Sequence, residues 1–225
     1  MKRYIVEFIG TFFLVLVIAM TGNPVAIGAI LIAMVYLGGY ISGAHYNPAV
    51  TLAIVVRGKM IVGEAVKYIV SQVLGATFAA VVFFAVKGTT FTPKPVTSDF
   101  FIATLGEIIF TFALASVVLH VATSEETKGN QYYGLAIGLT VMAGAFVGGP
   151  ISGGVYNPAV AIGPMLVDIK NVTTNLPNLF MYLVGPVTGA ALAAVVYNYV
   201  HSPQLPVVEE TDVVLDNTSE NLEEM

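Results

Sequence analysis

Six stretches of this chain stay apolar for about the length of a membrane crossing: residues 4–21, 25–42, 62–86, 100–122, 131–149 and 177–200. A bilayer core of roughly 30 Å needs about 20 helical residues, so each is predicted to be a transmembrane helix. Two shorter apolar pieces, 47–56 and 157–167, have about half that length. They are predicted to be half-helices that enter the membrane and stop. Each begins with the same three residues, Asn47-Pro48-Ala49 and Asn157-Pro158-Ala159. Asn caps a helix by accepting from free N–H groups of the first turn. Pro suits the first helical position, where its missing N–H costs nothing. Gly43, Gly153 and Gly154 lie just upstream and permit the unusual dihedrals of a re-entrant loop. Such backbone survives at membrane depth only where protein buries it or water wets it. The pattern predicts an all-α membrane fold of six transmembrane helices plus two re-entrant half-helices.

The two motifs belong to a repeat. Residues 41–50 read ISGAHYNPAV and residues 151–160 read ISGGVYNPAV, identical at eight of ten positions. Glu7-x-x-x-Thr11-Phe12 recurs as Glu107-x-x-x-Thr111-Phe112. The small-residue block starting at Gly75-Ala76 recurs at Gly189-Ala190, with spacings that suit close helix packing. Each half is therefore span, span, half-helix, span, with repeat one at about 4–86 and repeat two at about 100–200. Three crossings per half force the second half to be inserted upside down. Paired breaks at matching positions of an inverted repeat mark a permeation or binding site.

Charge orients this layout. Lys2, Arg3, Arg57, Lys59, Lys67 and Lys128 fall at one set of span ends, and Lys87, Lys94 and Lys170 at the other. The positive-inside rule then predicts a multi-pass protein with cytoplasmic N- and C-termini. Residues 1–201 form one channel-like domain. Residues 202–225 form an acidic tail that carries seven of the 14 carboxylates and no Lys or Arg, and it is expected to be disordered. Met-Lys-Arg and the apolar run after it are read as an uncleaved first span, since Glu7 interrupts the run. Asn171-Val-Thr173 is a glycosylation sequon on the expected outer face. With no Cys, disulfide and thiol chemistry are excluded. No basic patch suggests nucleic acid. No Ser-His-Asp set, metal-spaced cluster or phosphate loop suggests an enzyme, a metal or a cofactor.

Two half-helices entering from opposite faces bring their N-termini together near the midplane. Each carries about half a positive charge, and the Asn47 and Asn157 amides add donors. This arrangement suits a neutral, hydrogen-bond-accepting molecule such as water. It repels cations and interrupts a proton wire.

With these motifs, the inverted repeat, Gly163-Pro164, and Gly185-Pro186 before Gly189, the chain resembles the aquaporins of the major intrinsic protein family over about residues 4–200. The resemblance implies a right-handed bundle, assembly as a homotetramer with one pore per protomer, and passive flux without a cofactor. It also implies a second, narrower constriction, which carries over to Ile27, Ala145, Gly154 and Val160. Most family members place Arg at the last of these, and water-selective ones add a bulky aromatic and a His. Here all four are apolar or tiny, so a fixed charge and a fork of donors are missing. Some plant vacuolar-membrane members also carry Val there. The expectation is a channel in the lipid bilayer for water and small neutral solutes such as urea, ammonia, hydrogen peroxide or glycerol. Loss of the Arg also predicts weaker proton or cation exclusion. An alternative is a water-only channel whose filter is narrowed by the loop at 87–99. Ala161, Met165 and Tyr182-Leu183 are mixed indicators and do not settle the solute.

Ionisable groups inside spans are costly and usually functional. Glu7 and Glu107 are expected to accept hydrogen bonds from the half-helix loops, and His45 to hold its loop. The competing readings are proton coupling for the two Glu residues and pH sensing for His45. Two other classes share the architecture. A secondary transporter would need a coupling-ion site, for which only Glu7 and Glu107 are at hand. A junction or scaffolding protein would have a pore occluded by Tyr46 and Tyr156.

Overall fold

The computed structural model describes residues 1–202, so the expected acidic tail, Ser202 apart, lies outside the described residues. Eight α-helices make up the bundle: α1 (Lys2–Thr21), α2 (Pro24–Ser42), α3 (Pro48–Val56), α4 (Val62–Lys87), α5 (Phe100–Thr123), α6 (Tyr133–Ser152), α7 (Pro158–Val167) and α8 (Val172–Val200). Six of them, all but α3 and α7, are long and apolar enough to cross a membrane. With six crossings, both ends of the described chain lie on the same side. The expected spans and half-helices are all present. Two boundaries differ from expectation. Helix α6 continues to Ser152, through Pro150 in its last turn. Helix α8 begins at Val172 rather than at Pro177. Pro177 sits one turn inside α8, where the preceding turn is tied down by Asn175 as described below.

The polarity of a soluble protein is inverted here. Val66, Val70, Leu74 and Phe78 recur every four residues along α4 and are exposed, as a lipid-facing stripe requires. Glu7, Glu107 and Gln72 are completely buried. The halves interlock. α1 packs on α4 as α5 packs on α8, while each half-helix crosses over to the last span of the opposite half, α3 onto α8 and α7 onto α4. Close backbone approach makes the matched pairs possible. A Cβ on Gly75 would lie 2.4 Å from the Phe8 carbonyl oxygen, and one on Gly189 would lie 2.4 Å from the Ile108 carbonyl oxygen. No side chain fits at either place, which is why the repeat retains Gly there.

Candidate functional site

The two loops before the half-helices share one backbone course. Gly43 and Gly153 end α2 and α6 in the left-handed region, at φ of 85° and 90°. Ala44 and Gly154 follow at 51° and 66°, and Tyr46 and Tyr156 at 49° and 50°. Three left-handed residues in a row of four are costly for non-glycine side chains, so something must hold each loop. Two carboxylates do so. Glu7 Oε1 accepts from the Ser42 hydroxyl at 2.7 Å and the His45 N–H at 3.0 Å. Its Oε2 accepts from the Tyr46 N–H at 2.7 Å and Gln72 Nε2 at 2.8 Å. Glu107 repeats this with the Ser152 hydroxyl at 2.7 Å, the Val155 N–H at 3.0 Å and the Tyr156 N–H at 2.6 Å. Both tyrosine rings are anchored as well, Tyr46 donating to the Met34 carbonyl at 2.8 Å and Tyr156 to the Gly144 carbonyl at 2.9 Å.

The held loops deliver two caps to the centre. Asn47 Oδ1 accepts from the Ala49 N–H at 2.8 Å, and Asn157 Oδ1 from the Ala159 N–H at 3.0 Å. The amide nitrogens cross over. Asn47 Nδ2 donates to the Tyr156 carbonyl at 2.8 Å, and Asn157 Nδ2 to the Tyr46 carbonyl at 2.9 Å. Each amide has two N–H groups and uses one in this lock. Both Asn residues also line one cavity of about 440 Å³. The second N–H of each is thus available to whatever occupies it. Leu14, Ile27, Leu31, Leu114 and Val118 supply apolar wall to the same cavity.

Ile27, Ala145, Gly154 and Val160 all line this cavity, and so does His45. Glu7 and Glu107 stand behind the loops, not in the lining. His45 is held through Thr51. The Thr51 hydroxyl donates to the Asn47 carbonyl at 3.0 Å and accepts from Gln72 Nε2 at 2.9 Å. Its contact with His45 Nδ1 at 3.1 Å then places a proton on Nδ1. The 87–99 loop contributes no residue to the cavity lining. It packs outside, the Val96 and Thr97 N–H groups both donating to the Ile151 carbonyl at 3.0 Å. Tyr46 and Tyr156 were candidates for an occluding pair. Tyr156 lines the cavity wall, and Tyr46 is fully buried outside the lining.

Several contacts that shape the site are not legible in the sequence. Ser42 and Ser152 feed the two carboxylates. Tyr68 and Tyr182 donate to the carbonyls of Ser42 and Ser152, at 2.8 and 2.6 Å. All four sit inside the repeat: the serines lie in the matched strings 41–50 and 151–160, and the tyrosines, seven residues before Gly75 and Gly189, are found by extending the internal alignment. Gln72 and Asp168 have no such partner across the repeat, and no signal pointed to them.

Comparison with known proteins agrees with this geometry. Residues 19–197 match the family model for the major intrinsic protein family. The chain is 36% identical over 226 residues to a probable aquaporin NIP-type from Nicotiana alata, covering 93% of this chain and 81% of the relative. It is 37% identical to aquaporin AqpM from Methanothermobacter thermautotrophicus, covering 89% and 98%. The fold superposes on the X-ray structure of the aquaglyceroporin from Plasmodium falciparum with a TM-score of 0.80, covering 90% and 97% at 20% identity. Two carboxylate-held loops, two crossed Asn caps and a shared cavity thus stand in a chain that belongs to the major intrinsic protein family, the aquaporins, and is a transmembrane channel rather than an enzyme.

Proposed function

We propose that the channel passes water and also small neutral solutes such as urea, ammonia, hydrogen peroxide and glycerol. The observation that carries this reading is the composition of the cavity wall. Ile27, Ala145, Gly154 and Val160 share one cavity with the two Asn caps, and none of the four brings a charge or a side-chain donor. In this reading they form the selectivity filter. A solute crossing there loses water without a strong hydrogen-bonding partner, which favours solutes that are weakly hydrated and small. Its polar atoms are received by the free amide N–H groups of Asn47 and Asn157. The half-helix N-termini of α3 and α7 oppose cations at the same level. Residues 1–201 form one channel domain of two inverted repeats, with both termini cytoplasmic and four protomers per assembly. That orientation rests on the charge bias of the span ends.

The test is stopped-flow light scattering on proteoliposomes, first with an impermeant osmolyte and then with urea and glycerol. Rapid shrinkage followed by rapid re-swelling is expected. In Val160→Arg, the urea and glycerol rates are expected to fall at least tenfold, an added barrier of about 1.4 kcal/mol, while water flux persists. Solute exclusion by the wild-type protein, with water flux intact, would overturn the solute reading.

A further inference from the structure

Asp168 is a buried carboxylate with no part in the channel as described so far. It lies at the outer foot of α7, 7% exposed. The ion pairs among the described residues are Lys67–Glu64 and Lys128–Glu125, so no cation of that region neutralises it. Three neutral donors from three parts of the chain surround it instead. Thr90 Oγ1 and Asn171 Nδ2 donate to Oδ1, each at 2.9 Å, and Asn175 Nδ2 donates to Oδ2 at 3.3 Å. Burying a carboxylate among neutral groups is costly unless they are well placed. Its position, where the loop after α4, the turn after α7 and the start of α8 converge, gives it something to hold.

The segment at 88–99 is what it holds. Thr90 ties the start of that segment to the foot of α7. Further along, the Val96 and Thr97 N–H groups bind the Ile151 carbonyl, just before the loop that carries Gly154. The Lys94 carbonyl presses on Gly153 so closely that a Cβ there would lie 2.7 Å from its oxygen. Between these anchors Phe91 packs against the apolar cluster that contains Val155, Ala159 and Val160. The segment therefore runs as a strap from the end of α6 to the foot of α7, packed against the cluster that holds the second half-helix and without lining the cavity.

We propose that Asp168 is a positioning residue for the constriction, and that the Thr90–Asp168 bond sets the solute-size limit by holding this strap against the Gly154–Val160 wall. The inference rests on the filter reading given above. With four small or apolar residues and no Arg to brace the site, the wall has no support from the cavity side. Its place is fixed from behind.

The experiment compares permeability to water, urea, glycerol and erythritol in proteoliposomes for wild type, Thr90→Val, Thr90→Ser and Asp168→Ala. Thr90→Val keeps the size of the side chain, removes the strap's bond and leaves Asp168 its two Asn donors, so folding is preserved even if Asp168→Ala does not fold. The expected result is a several-fold rise in the permeability of the largest solute relative to water in Thr90→Val, with wild-type ratios in Thr90→Ser. Unchanged ratios in Thr90→Val, including the case where only its thermal stability falls, would overturn the inference. An equal rise in Thr90→Ser would also overturn it, since the hydroxyl would then be irrelevant. If wild type conducts water alone, the solute reading fails while this inference still predicts that Thr90→Val admits urea.

Discussion

The two half-loops have one backbone and two chemistries. Both are held by a buried Glu, a Ser, a Tyr donating to the Ser carbonyl and an Asn crossing to the other loop. Around that shared frame the first loop is polar: His45, Thr51 and Gln72 form a continuous hydrogen-bonded chain back to Glu7. The matching positions in the second loop are Val155, Ala161 and Pro186. The second loop has no such chain, and its brace is the strap at 88–99. The difference teaches which parts of an inverted repeat are free to diverge. Groups that satisfy the loop backbone cannot change, because an unmet buried N–H has no water to turn to. Groups beyond that layer can, and they divide the labour between a polar first loop and an apolar second loop.

The largest effect should come from removing the shared frame. Glu7→Ala removes the carboxylate acceptor of four donors, and Glu107→Ala that of three. At about 1–3 kcal/mol for each unmet donor, both variants are expected to lose the folded channel. Thermal unfolding in detergent should show Glu7→Ala the worse of the two. Equal tolerance of both would mean that water replaces the carboxylates and that the frame is not what holds the loops.

A smaller effect separates the two chemistries. Thr51→Val removes the hydroxyl that joins His45, Gln72 and the Asn47 carbonyl. Two buried donors lose their acceptor, so a destabilisation of about 2 kcal/mol or more is expected. Ala161→Val, at the matching place of the second loop, breaks no hydrogen bond and is expected to cost only an overpacking term of about 1 kcal/mol. The check is the difference in unfolding midpoint between the two variants. Indistinguishable midpoints would mean that the polar chain of the first loop contributes nothing to its hold.

Much of this was legible in the sequence. The spans, both half-helices and the Asn caps follow from run lengths and from Asn-Pro at a helix start. The loop-supporting role of Glu7 and Glu107 followed from placing a costly carboxylate at matched positions. What stayed hidden depends on contact between distant segments. Asp168 reads as an ordinary polar residue after a half-helix, and only the fold brings Thr90 beside it. Gln72 sits in a long apolar run where nothing marks its amide as the link between Glu7 and Thr51. The start of α8 was misjudged for the same reason: the turn before Pro177 is stabilised by Asn175 reaching Asp168, a contact that local propensity does not encode.

The smallest effect tests the part of the comparison in which the halves should agree. Gly38 and Gly148 each lie under a tyrosine hydroxyl. A Cβ would fall 1.9 Å from the Tyr46 oxygen in the first case and 2.1 Å from the Tyr156 oxygen in the second. Gly38→Ala and Gly148→Ala should each destabilise by about 1–3 kcal/mol through overpacking. Removing the hydroxyl relieves each clash only in part. At Gly38 the Val6 Cγ1 still stands at 2.6 Å, and at Gly148 the Phe110 ring still stands at 2.8 Å. In double-mutant cycles, Tyr46→Phe and Tyr156→Phe should therefore each recover part of the loss from Gly38→Ala and Gly148→Ala, with a coupling of about 0.5–3 kcal/mol in each. No coupling in either half would show that the tyrosines shift freely. The fixed ring, and with it the carbonyl that receives the opposite Asn, would then not belong to the frame the two halves share.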